Sequence, residues 1–96
     1  MKFTWDARKE ATNLAKHGVT FSEAQRAFID PRAIVAFDAA HSPRGGHELR
    51  WWLLGKVGNR VMLVRYTHRP SGIIRIIGAG YWDVGAKIYE KENQTD

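Results

Sequence analysis

Arg60-Val61-Met62-Leu63-Val64-Arg65-Tyr66-Thr67-His68-Arg69, entered through Gly58-Asn59 and left through Pro70-Ser71-Gly72, is the stretch whose reading decides the fold. β-branched and aromatic residues run through it and turn formers bound it on both sides, the pattern of a strand between two reversals. Gly58-Asn59 suits a tight hairpin turn. The flanking apolar runs, roughly 46–55 and 73–79, then become its antiparallel neighbours in a three-strand meander.

Outward from the meander the chain turns helical. Residues 82–92 carry Val84, Ile88 and Tyr89 at the spacing of a buried stripe, with Gly85 as a weak point, and 93–96 read as frayed. Upstream, Ser, Pro, Arg and Gly mark 38–46 as a loop, and 33–37 is a short β run. A helix from about Phe21 to Phe28 places Phe21, Ala24, Ala27 and Phe28 inward. Thr20 with Glu23 forms a possible capping box, Ser22 is a rival cap, and Asp30-Pro31 ends the helix. Another helix over 7–16 has Asp6 as N-cap, Gly18 at its C′ position and Ala11, Leu14 and Ala15 on one face. Residues 2–5 suit an edge strand. The order β-α-α-β-β-β-β-α predicts an α+β domain spanning 1–96, with a mostly antiparallel sheet, two N-terminal helices and one C-terminal helix. One sheet face is expected to stay partly open, and a basic site could form there.

Ninety-six residues with 44% hydrophobic content fit one globular domain. The net charge of +5 favours polyanions, nucleic acid first, although dispersed surface cations would give the same sum. There are no cysteines, which removes disulfides and thiolate metal sites and fits a reducing compartment. The first residues lack the apolar core of a signal peptide, and no stretch approaches a membrane span, so a soluble cytoplasmic protein is expected.

Strand alternation puts Arg65, Thr67 and Arg69 on one face and Tyr66 and His68 on the other. If neighbouring strands bring Arg50 and Arg75 alongside Arg65, guanidinium groups converge as phosphate recognition requires. The alternative is ordinary ion pairing with Glu48, Asp83 or Glu90. His17, His41, His47 and His68 could each move protons near neutral pH. His17 suits the end of a helix, His41 lies in a polar loop, and His68 beside Arg69 is the best placed. Glu48 could act as general base or simply pair with Arg50 or Arg65. Trp51-Trp52 puts one indole on each face of a strand, one packed and the other a possible base platform or partner anchor. Gly78-Ala79-Gly80 lacks the context of a nucleotide-binding loop, and neither a nucleophile elbow nor spaced metal ligands are present. No cofactor is expected; catalysis would be metal-independent acid–base chemistry.

Trp5-Asp6, Asn13-Leu14-Ala15-Lys16-His17-Gly18-Val19, Phe28-Ile29-Asp30-Pro31, Arg65-Tyr66-Thr67-His68-Arg69 and Ile74-Arg75-Ile76-Ile77, in this order and spacing, resemble the BrnT family of bacterial toxins. The resemblance runs from Phe3 to Glu90 and implies a RelE-like fold and a ribonuclease toxin of a type II toxin–antitoxin system. It also implies neutralisation by a BrnA-type ribbon–helix–helix antitoxin, with operator DNA contacted only through that antitoxin. On this reading Arg65, Arg69 and Arg75 hold the phosphate, His68 or Glu48 handles protons, and Lys16, Arg50 and Trp51 contact RNA. Family members continue after Ile-Ile with Ser-Ala-Arg and then a helix carrying a glutamate. Here Gly80 stands at the arginine position, which passes its role to Arg69, Arg75 or Lys87. A catalytically weak module that binds its antitoxin as co-repressor is the second expectation, and a plain RNA-binding domain the third.

Overall fold

The computed structural model describes residues 1–44 and 48–94. Its elements are β1 (Lys2–Trp5), α1 (Ala7–His17), α2 (Phe21–Ala24), β2 (Ile34–Phe37), β3 (Arg50–Val57), β4 (Arg60–Arg69), β5 (Ile73–Tyr81) and α3 (Asp83–Glu92). The strands form one sheet in the order β1-β5-β4-β3-β2, antiparallel except for the parallel β1–β5 pair. The α+β meander read from the sequence is present. The expected start of β3 at Gly46 lies outside the described residues, as do His47 and the Thr95-Asp96 end, and β5 extends to Tyr81. Gly58 has φ 64° at the first central position of the β3–β4 hairpin, where glycine avoids a Cβ clash.

Alternation assigns the two faces. Met62, Val64, Tyr66, Ile74 and Ile76 pack against Val19, Phe21, Ala24 and Ala27 in one core cluster. Leu54, Val61 and Leu63 meet Tyr89 and Ile88 of α3 in the second. On β5 the alternation changes phase. Ile76 lies opposite Tyr66 while Gly78 lies opposite Arg65, so Ile77 is an extra residue in a bulge. Arg75 before the bulge and Gly78 and Gly80 after it therefore share the α3 face.

The helices depart from their expected faces. Leu14 is 48% exposed and Ala11 and Ala15 are exposed as well; the buried anchor of α1 is Asn13. Its side-chain amide donates to Ala79 O (2.8 Å) and Val19 O (3.1 Å) and accepts from Ala79 N–H (3.0 Å). β1 pairs with β5 only as far as Ile76, so Asn13 satisfies the β5 edge where β1 has ended. An apolar stripe is the wrong expectation here because α1 borders the sheet at a backbone edge. Thr20, not Ser22, caps α2, accepting from Glu23 N–H. The helix tightens into a 3₁₀ segment over Gln25–Ile29.

In α3, Val84 is 54% exposed, and Gly85 and Tyr89 are the buried positions. Gly85 is a close-approach site rather than a weak point. A Cβ there would lie 2.6 Å from Trp82 Cε3 and 2.9 Å from Leu54 Cδ2. The far end of α3 is tied by Tyr89, whose hydroxyl donates to Asp30 Oδ2 (2.6 Å). Asp30 also accepts from the backbone N–H of Lys56 (2.8 Å) and Arg32 (2.9 Å).

Burial pulls the Asp30 carboxyl upward, but these hydrogen bonds outweigh it and hold it below its ordinary value. Burial, then the bond to Asp30, pushes Tyr89 from 10.0 up to about 12. The folded state thus keeps the Tyr89 proton more tightly than the unfolded chain. Its contribution is complete below pH 10 and is lost as pH rises toward 12. Tyr89→Phe should cost about 1–2 kcal/mol at pH 7. In urea titrations the gap between wild type and Tyr89→Phe should narrow from pH 10 upward; a constant gap would show that the tie is not the source.

Candidate functional site

Helix α3 covers only the Leu54–Val61–Leu63 end of its sheet face. The other end is left to the side chains that alternate with the core. In the β-ladder Thr4, Arg75, Thr67 and Arg50 lie side by side across β1, β5, β4 and β3. Arg65 is one pleat away on the same face and Arg69 one pleat the other way. The structure therefore brings together Arg50, Arg65, Arg69 and Arg75, with Thr67 in the middle of the row. Arg65 is exposed and the other three arginines are half-buried.

Two carboxylates meet this cluster. Glu48 Oε1 lies 2.6 Å from Arg69 Nη2, so Arg69 is its partner rather than Arg50 or Arg65. Glu48 holds φ at 49°, a left-handed conformation that costs a non-glycine residue about 1 kcal/mol. Asp38 is buried at the end of β2 and sits 3.9 Å from Arg65 Nε. It also receives the His41 backbone N–H (3.3 Å) and His41 Nδ1 at 2.9 and 3.0 Å. Ser42 Oγ donates to Asp38 O (2.7 Å) and accepts from Arg50 N–H (2.9 Å), strapping this loop to the start of β3.

With Nδ1 held by Asp38, the His41 ring is oriented and its Nε2 is the nitrogen left to exchange a proton. Sequence reasoning weighed His41 alone and did not include Asp38. The available signal was an aspartate three residues before a histidine in a loop, the spacing of a short capped turn. Among the described residues, neither Thr67 Oγ1 nor Arg69 Nε, both buried, has a hydrogen-bond partner.

His68 and Trp51 lie elsewhere. Both project from the face covered by α2, where the His68 ring packs edge-on to Trp51 (6.3 Å) and Tyr66 (5.5 Å). Trp52, not Trp51, shares the arginine face, since it lies opposite Arg65. Lys16 is not in the row either. With Arg8, Lys9 and His17 it edges a groove of about 720 Å³ between α1, β5 and Trp82, into which Arg65 also reaches.

The fold and the arginine-lined half-face define a small α+β protein with a basic sheet face. The model of a family described as "Ribonuclease toxin, BrnT, of type II toxin-antitoxin system" matches residues 5–84. The 1.1 Å crystal structure of the Brucella abortus ribonuclease toxin BrnT is similar with a TM-score of 0.65 at 26% identity, over 86% of this chain and 97% of that one. Comparison with curated proteins found no match. This chain belongs to the BrnT family of ribonuclease toxins of type II toxin–antitoxin systems.

If Asp38 is what holds the 38–42 loop, Asp38→Ala should free it locally. Amide exchange at His41 should speed up by about tenfold, the loss of roughly one hydrogen bond to a charged group. Leu54 and Met62 should be unchanged; equal acceleration throughout would mean global destabilisation instead.

Proposed function

We propose that this chain, acting as one RelE-like domain, cleaves RNA without a metal ion by attack of a ribose 2′-OH on the adjacent phosphate. The convergence of Arg50, Arg65, Arg69 and Arg75 around Thr67 on an uncovered sheet face carries this reading. The 2′ oxygen bonds to phosphorus and the bond to the 5′ oxygen breaks, leaving a 2′,3′-cyclic phosphate and a 5′-OH. The guanidinium groups hold the phosphate and offset the charge that grows on its oxygens. His41, oriented by Asp38, takes the 2′-OH proton, and a proton returns through water to the departing 5′ oxygen. Among the described residues, no three histidine, aspartate or glutamate side chains are grouped for metal binding.

In this assignment Glu48 is the counterion of Arg69 until RNA displaces it, and His68 and Trp51 pack the opposite face. The antitoxin would be of the BrnA ribbon–helix–helix type, with operator DNA bound through it, and the complex would work in the cytoplasm. No helix of the described residues is long and apolar enough to cross a membrane. One observation favours a weak or inactive co-repressor: Gly78 and Gly80 add no cation to the face opposite Arg65 and Leu63.

Purified protein should cleave RNA in EDTA and leave cyclic-phosphate ends. Arg69→Ala and His41→Ala should each lower the rate by roughly 100-fold or more with an unchanged melting temperature. A folded wild type that cleaves nothing would move the reading to the co-repressor, and a fully active His41→Ala would move the proton transfer to another group.

A further inference from the structure

The groove beside α1 meets the arginine row only at Arg65, and its other lining residues have no part in the proposed chemistry. We propose that it is a nucleotide subsite, taking the base next to the cleaved phosphate; this rests on the ribonuclease reading above.

Three features argue for a base there. The first is space. Gly78 and Gly80 point into the groove because the β5 bulge puts them on the face of Leu63 and Arg65. A Cβ on Gly80 would already touch the His17 ring at 3.5 Å, so any larger side chain would fill the floor. The volume of about 720 Å³ is within the range of small-molecule pockets. The second is an aromatic wall. Trp82 is 40% exposed and lines the groove, while its six-membered ring rests against Gly85. A large indole fixed on one side and open on another suits base stacking, which discriminates little among the bases. The third is charge. The groove is edged by Arg8, Lys9, Lys16 and His17, and among the described residues no acidic side chain lines it. Apolar floor and cationic edge together match a base with its flanking phosphate, rather than an apolar peptide.

Arg65 makes the connection. It lines the groove and belongs to the arginine face, so a strand with its phosphate near Arg65 can turn the neighbouring base toward Trp82. The subsite then sets the register of the strand.

The test uses a 2′-O-methyl RNA hexamer, which cannot undergo 2′-OH attack. On titration into wild type, the Gly78 and Gly80 amides and the Trp82 indole N–H should shift. Trp82→Ala and Gly80→Leu should each weaken binding roughly tenfold, the effect of losing one stacked base. Shifts confined to β3 and β4, no binding of the hexamer, or a groove that responds only when an antitoxin is added would each overturn the subsite. RNA cleavage measured on the same variants keeps the two readings apart. Cleavage with unchanged KM in Trp82→Ala removes the subsite and leaves the ribonuclease standing. Groove shifts in a wild type that does not cleave do the reverse.

Discussion

The Asp30 carboxylate joins the two sides of the sheet. It takes hydrogen bonds from a 3₁₀-following turn, from β3 and from α3. A single acceptor with three donors on separate segments holds them in one geometry, and the alternative of leaving any of them unpaired is costly. The position of α3 follows from this tie at Tyr89 and from the close approach at Gly85. Because α3 is held at the apolar end of its face, four arginines at the other end stay accessible to a ligand. The opening is therefore a product of how the helix is fastened and not of missing secondary structure.

The accessible end is electrostatically unbalanced in a useful way. Asp38 and Glu48 are single carboxylates facing several guanidinium groups, and the pairs they form are partly exposed. Ion pairs of that kind contribute only about 0–1 kcal/mol, so a polyanion can exchange for Glu48 at small cost. Asp38 differs, since it is buried and committed to the His41 turn.

Much of this architecture was legible in local patterns. Asp6 and Gly18 bound α1 as cap chemistry requires, and the hairpin at Gly58 stands where the turn residues put it. Alternation along 65–69 separated the arginines from His68 before any register was known. The parts that were not legible depend on partners far along the chain. Asn13 reads as an ordinary helical residue until Ala79 arrives beside it, and Gly85 reads as a helix breaker until Leu54 does. The Asp38–His41 pair was missed because a loop aspartate has many equivalent uses in sequence, and burial alone distinguishes this one. The RelE-like part of the resemblance added a functional expectation that strand patterns could not supply.

The bulge at Ile77 has a consequence for how this chain can vary. A strand normally commits all its odd residues to one side and all its even residues to the other. Here the odd positions before the bulge and the even positions after it face the same solvent-accessible surface, while Ile74, Ile76 and Ala79 stay inside. Tolerance to substitution along β5 should therefore shift phase at a single residue. Losing that residue would set Gly78 directly after Ile76 in a regular ladder, with both halves of β5 on their present faces, so what the extra residue adds is the local bend and twist of the strand.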